Sequence, residues 1–372
     1  MPETMLGWTG LPHVTVSVVP GGLAPVRLLA RVTLLPGILA GSILLGLVYG
    51  TDAIPLREVL HVLFPVSHAC TARPLTAGLP NRNAVIICDL RLPGVIGALL
   101  VGAGLALAGA LFQAVLRNPL ADPYVIGTSA GAQLGVTLVF ILPIQVALWG
   151  FGTLQLAAFA GALSTVLVVY LLARTPSGTP VVTLILAGFV ISSFLISATT
   201  LLTYVGAGVS ERLSHLLTWT LGGLDVQSWQ ELAVSAPCIL AAGCAAVLMA
   251  PRLDLILLGE DQAAHLGVRV ERLKLAAIVL ASLLTALAVT IGGIIPFVGL
   301  VVPHAMRLIY GPRHQVLLPV SAVAGAAFVV LCDLIARVAV APSVLPLGVV
   351  TAVVGAPFFL HLLRRSRRVF AI

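Results

Sequence analysis

Val95-Ile-Gly-Ala-Leu-Leu-Val-Gly-Ala-Gly-Leu-Ala-Leu-Ala-Gly-Ala-Leu-Phe-Gln-Ala-Val115 contains no charged side chain. As a helix rising about 1.5 Å per residue, it is as long as the hydrocarbon core of a bilayer is thick, about 30 Å. Phe151–Ala173 is a second stretch of the same kind. The whole chain agrees with them: 59% of residues are apolar, only 9% are charged, and the mean hydropathy is +1.13. A soluble domain covers its surface with roughly 25% charged residues. This chain lacks the polar surface to face water on all sides, so the lipid bilayer is its first partner. Only helical bundles and closed β-barrels satisfy their backbone groups in lipid. Barrel strands alternate apolar and polar residues, whereas these runs are unbroken. The expected fold is therefore all-α and integral to the membrane. Thirty-six glycines suit close helix–helix contact.

Ten spans are expected, near 28–49, 92–116, 121–142, 146–173, 183–206, 229–250, 272–293, 295–311, 316–337 and 346–363. They form one domain over 28–365. A disordered tail (1–27) precedes it and a basic tail (366–372) follows. Residues 1–26 have no Lys or Arg and so lack the charged start of a signal peptide. The first span is expected to remain in the mature protein. The longest connection is 50–91, and 251–271 is a polar segment between two spans. Spans two to five and seven to ten are candidate inverted repeats, as transporters often carry.

The formal charge of +7 matters less than its distribution. With the N-terminus inside, the inner side receives Arg27, Arg31, Arg117, Arg174, Arg252, Arg269, Arg272, Lys274, Arg307, Arg313, Arg364, Arg365, Arg367 and Arg368. The outer side receives Arg57, Arg73, Arg82, Arg91, Arg212 and Arg337. This bias places both termini in the cytoplasm and residues 50–91 outside. Lys and Arg sit at helix ends and form no basic stripe with interleaved aromatics, which argues against a nucleic-acid partner. Cys238, Cys244 and Cys332 fall in spans and read as small hydrophobes. Cys70 and Cys88 share the external loop, where an oxidising compartment permits a disulfide.

Lys274 is the sole lysine, and it lies in Arg-Leu-Lys-Leu at the start of a span. A phosphate-binding loop needs a lysine after glycine, so any ATP and Mg²⁺ must bind a separate subunit. Gly127-x-Ser129-x-Gly131 fits a serine-hydrolase elbow, but that elbow needs a preceding strand. Here Gly127, Gly131 and Gly135 repeat every four residues, as on a close-packed helix face. An intramembrane hydrolase using Ser129 is one rival reading. A secondary transporter driven by ions through Asp333 is another. His265 and His304 lack a neighbouring ligand pattern for metal or haem, so no bound metal or cofactor is expected.

Several segments together are similar to one family: Arg91-Leu92-Pro93, Arg117-Asn118-Pro119-Leu120-Ala121-Asp122-Pro123, Gly127-Thr128-Ser129-Ala130-Gly131, Leu258-Gly259 through Leu266-Gly267, Phe297-Val298-Gly299-Leu300-Val301-Val302-Pro303-His304, and Leu345-Pro346-Leu347-Gly348-Val349-Val350-Thr351. They resemble the FecCD/BtuC-like permease subunits of binding-protein-dependent ABC importers for iron siderophores, haem and cobalamin. The resemblance runs from about residue 30 to 365. It implies a type II importer permease with ten helices in the inner membrane, paired with a second copy of itself or, as a pseudo-dimer, with a related permease. It also implies two cytoplasmic ATPase subunits and an external substrate-binding protein.

In such permeases the stretch matching 259–267 couples to the ATPase, which implies that role for Gly259, Glu260, Asp261, Ala263, His265, Leu266 and Gly267. Pro251 is expected to end the preceding helix, with Glu260–Leu266 forming a short helix along the membrane surface. The resemblance further implies that Arg91 and Arg337 dock the binding protein, although Gly94 stands where some members carry a second arginine. Asp333, four residues before Arg337, offers that arginine a simpler partner. Ser193, Ser197, Thr200 and Tyr204 share one face of the fifth span. By the resemblance that helix lines the pathway, though such hydroxyls also bond back to their own helix. The inner end at Thr179–Thr183 is implied as a cytoplasmic gate.

Overall fold

The computed structural model describes residues 24–63, 82–142, 145–148, 151–176, 178–205, 210–224, 226 and 229–370. The expected tail up to residue 23, Cys70 and Arg73 lie outside them. Thirteen helices are formed by the described residues: α1 (Ala24–Val48), α2 (Leu56–Leu63), α3 (Arg82–Val115), α4 (Thr128–Ile141), α5 (Thr153–Ala173), α6 (Val181–Val205), α7 (Ser210–Thr220), α8 (Trp229–Ile256), α9 (Glu260–His265), α10 (Val270–Gly292), α11 (Val298–Tyr310), α12 (His314–Val338) and α13 (Leu347–Phe370). No strand occurs among the described residues. Among the described residues six helices are long and apolar enough to cross a bilayer, and four shorter apolar helices match the remaining expected spans.

α3 is the axis of the bundle. It packs against α12, α10, α11 and α8, and 83% of its most apolar window is buried. Its glycines allow this. A Cβ on Gly102 would stand 2.2 Å from the carbonyl oxygen of Gly325 on α12, and one on Gly109 would stand 1.8 Å from that of Gly299 on α11. Backbones touch there, and only the absence of side chains permits it. α4 and α5 meet in the same way. A Cβ on Gly131 would lie 2.3 Å from the Gly161 oxygen, and one on Gly135 would lie 2.2 Å from that of Ala157. The four-residue glycine repeat is therefore a packing face.

Several boundaries differ from the expected ones. Helix begins ten residues before Leu92, because α3 starts at Arg82 and passes through one π turn, Ile86–Arg91. Pro93 cannot donate to a carbonyl four residues back, and the ladder widens there, with the Leu92 N–H bonded to the Ile87 oxygen. Part of the 50–91 connection is thus helical, in α2 and the start of α3. Pro251 does not end its helix: α8 continues through it to Ile256. A helix tolerates an internal proline at the cost of one hydrogen bond when tertiary packing holds the rest, and here Ala250, Leu253 and Ile256 are all buried. α13 extends to Phe370, into the stretch expected to be a basic tail. Cys88 is disulfide-bonded, and its expected partner Cys70 lies outside the described residues. Cys332 is buried as expected, while Cys238 and Cys244 are exposed on α8.

The two candidate repeats show the same order of elements. In each, a long helix (α3 or α10) leads to a kinked connector that ends in a left-handed residue, Gly127 (φ 87°) or Phe297 (φ 69°). A short helix (α4 or α11) and two long ones follow. α4 and α11 have 14 and 13 residues, or about 20 Å, too short to cross alone. Their connectors therefore reach into the membrane, where every backbone group needs a partner. Tyr124 supplies two. Its hydroxyl donates to the Ile295 oxygen and accepts from the Ile295 N–H, each at 3.2 Å. Asp122 caps the Tyr124 N–H at 2.8 Å. Buried Gln113 donates to the Leu300 oxygen at 3.2 Å and the Gly299 oxygen at 3.4 Å.

Candidate functional site

One end of the bundle gathers the residues expected outside. Arg91 leaves the π turn and buries its guanidinium under the end of α1. Nη1 donates to the Leu47 oxygen at 2.7 Å and the Val48 oxygen at 2.8 Å, and Nη2 donates to the Asp52 oxygen. The last carbonyls of a helix have no partner within it, and a guanidinium fork suits them. Gly50 leaves room, since a Cβ there would stand 3.0 Å from Arg91 Nη2. Only 5% of Arg91 is exposed. Arg337 pairs with Asp333 at 2.7 Å and reaches the Gly46 oxygen at 3.4 Å. Both arginines therefore hold α1, and the expected Asp333 pairing is present.

The opposite end carries the segment 251–271. Gly259 (φ 117°) and Gly267 (φ 86°) adopt conformations that side chains rarely reach, and they bracket α9. Ala263 points into the core and is fully buried, while Asp261, Gln262, Ala264, His265 and Leu266 face out. Leu257, Leu258 and Leu266 are exposed beside them. Glu260 faces inward and binds two cations, Arg117 Nη2 at 3.2 Å and Lys274 Nζ at 2.6 Å. Lys274 also meets Glu271 Oε1 at 3.3 Å, and Glu271 Oε2 accepts the Thr179 N–H at 3.0 Å.

Asp254 joins this end too, accepting the His314 N–H at 2.5 Å and facing His314 Nδ1 at 2.9 Å. That tie fastens the end of α8 to the start of α12. Sequence reasoning missed both Lys274 and Asp254 as organising residues. The single lysine beside two glutamates was the one available signal; nothing near Asp254 pointed sixty residues on to His314.

Thr179 is buried, and Thr183 is exposed on the first turn of α6. Ser193, Ser197, Thr200 and Tyr204 lie on one exposed face of α6, the least buried of the long apolar helices. Three of their hydroxyls bond back to their own helix: Ser193 to the Phe189 oxygen at 2.9 Å, Ser197 to the Ser193 oxygen at 2.9 Å, and Thr200 to the Ile196 oxygen at 2.8 Å. The face they present is accordingly mild, with three of its four hydroxyl donors already used. Ser129 sits in α4 with no strand before it, so the hydrolase elbow is not formed. Among the described residues no group of three His, Cys, Asp or Glu side chains could hold a metal ion.

A family model described as the FecCD transport family matches residues 38–365. The chain belongs to the FecCD transport family. The cobalamin import system permease protein BtuC of Halobacterium salinarum is 40% identical, over 81% of this chain and 79% of that one. The hemin transport system permease protein HmuU of Yersinia pestis is 37% identical, over 75% and 83%. The Fe(3+) dicitrate transport system permease protein FecD of Escherichia coli is 36% identical, over 88% and 96%. A solved structure described as an inward-facing conformation of a metal-chelate type ABC transporter superposes with a TM-score of 0.75 at 29% identity, covering 89% of this chain and 97% of that one. This FecCD chain is a multi-pass permease subunit of an ABC importer and works with an ATPase and a binding protein. It is a transport subunit and not itself an enzyme.

Proposed function

We propose that this permease carries a metal chelate, an iron siderophore, haem or cobalamin, across the inner membrane by alternating access, with both termini in the cytoplasm. It does so as a homodimer with two ATPase subunits, which bind the ATP and Mg²⁺, and an external binding protein that delivers the cargo. The relatives' cargoes support the substrate class, and the distribution of Lys and Arg supports the sidedness.

One observation carries the coupling role: α9 is a short helix fixed at both ends by left-handed glycines, with Asp261, His265 and Leu266 facing away from the bundle. A stiff helix held by an ion pair at its inner face transmits a push as a rigid body, which a loop would absorb. Three exposed leucines beside it suit burial in a protein groove. The hydroxyl face of α6 supports a pathway role for Ser193, Ser197, Thr200 and Tyr204, since groups with their donors engaged bind a passing chelate weakly. Thr179, on the loop just before the same helix, and Thr183, in its first turn, act as the gate. Arg91 and Arg337 lie on the face that meets the binding protein.

Reconstitution with the ATPase and binding protein tests this. ATP-dependent uptake is compared for a ferric siderophore, haem and cobalamin, and one of them is expected to be transported. Replacing residues 259–267 by a Gly/Ser linker is expected to leave ATP hydrolysis running and abolish uptake. Undiminished uptake in that variant overturns the coupling role.

A further inference from the structure

We propose that Lys274 is the relay through which the coupling helix moves the gate. The inference rests on the coupling and gate roles just given and adds the physical link between them. That link is a continuous chain of charge-assisted contacts across three segments remote in sequence. It begins on α9, where Glu260 grips Lys274 at 2.6 Å. It crosses the first turn of α10 from Lys274 to Glu271 at 3.3 Å. It ends on the loop before α6, where Glu271 holds the Thr179 N–H at 3.0 Å.

Three features make this chain more than a surface pair. First, the Lys274 side chain is only 8% exposed, which shields its pair with the half-buried Glu260 more than a fully solvated pair, while Glu271 is half exposed. Second, the receiving loop is stiff. Thr175 and Gly178 exchange backbone hydrogen bonds at 2.8 and 3.1 Å, and the Thr175 hydroxyl donates to the Gly178 oxygen at 2.7 Å. Displacement of Thr179 therefore passes to Val181 and α6. Third, the loop is shaped for this carboxylate. Gly178 has φ 130°, and a Cβ there would stand 3.0–3.1 Å from the Glu271 carboxylate.

Glu260 and Glu271 carry like charge, and the ammonium between them is what lets them approach. Lys274 is thus a positioning residue: it touches neither cargo nor nucleotide, and it makes α9 and the gate loop move together. Arg117, which adopts φ 49° just after α3, takes the other oxygen of Glu260 at 3.2 Å. It anchors the same carboxylate to the central helix.

The test uses the full complex in proteoliposomes, with Thr183→Cys in a Cys238→Ala/Cys244→Ala background as the gate reporter. Modification of that cysteine by a water-soluble maleimide is timed with and without ATP. With Lys274 present, ATP is expected to change the rate severalfold. In Lys274→Met and, separately, in Glu271→Gln, that change is expected to vanish, and uptake per ATP hydrolysed to fall at least tenfold. Lys274→Arg is expected to restore both. Glu271→Gln leaves α9 untouched, so it reports on the relay even where Lys274→Met fails to assemble. A normal ATP response in Glu271→Gln, in a complex that the 259–267 linker inactivates, overturns the relay and spares the coupling role. A linker complex that still transports overturns both.

Discussion

Arg91 donates to the carbonyl oxygen of Leu47 at 2.7 Å, and by this bond the π turn of the central helix closes the end of α1. The contact joins residues forty-four positions apart and uses a charge expected to face a partner. It ties α1 to the face proposed above to meet the binding protein.

Arg91→Ala is expected to lower the unfolding temperature of the detergent-solubilised permease and also to weaken its association with the binding protein. Hydrogen bonds to a charged group contribute about 1.5–3 kcal/mol each, and three carbonyls lose theirs. Arg91→Lys keeps the charge but cannot fork across Leu47, Val48 and Asp52, so it falls between. Weaker association with an unchanged unfolding temperature means that Arg91 acts on the partner alone.

Tyr124→Phe removes the hydroxyl that serves both backbone groups of Ile295. Two polar groups at membrane depth then lack partners, at about 1–3 kcal/mol each. Thermal unfolding in nanodiscs is expected to show a loss of that order, and faster hydrogen exchange is expected at residues 293–297.

Gly109→Ala is expected to prevent accumulation of folded protein. The new methyl would overlap the Gly299 backbone at 1.8 Å, so α3 and α11 must separate along their contact. Gly94→Ala is the control on the same helix, with nothing within 4 Å of its Cβ. Membrane yield by fluorescence-detected size exclusion distinguishes the two.

Ser197→Ala is expected to leave both stability and uptake within about twofold, because its hydroxyl bonds to the Ser193 oxygen of its own helix. Ser197→Phe puts bulk on the same exposed face and is expected to cut uptake at least tenfold without lowering the unfolding temperature. Normal uptake in Ser197→Phe removes α6 from the pathway.

The ten spans were legible because each is an apolar run, six of them in helices long enough to cross, and the described helices fall close to the expected limits. Two of the misplaced boundaries fall at prolines. Pro251 lies inside α8 because buried Ala250, Leu253 and Ile256 hold the turns on either side, and Pro93 widens the ladder before it and does not start the helix. α9 was legible from its two glycines. The partners of Glu260, Arg91 and Asp254 were not, since each lies on a segment whose approach no local pattern records.

Hydropathy and charge act on each stretch of chain alone, through its transfer between water and lipid. Composition and order were therefore enough to determine the all-helical membrane class and the placement of the apolar helices along the chain. Which polar group answers which depends on what distant backbone arrives beside it. Only the packed bundle, with glycines drawing α3 against α11 and α12, set Lys274 between two carboxylates and Arg91 beneath α1.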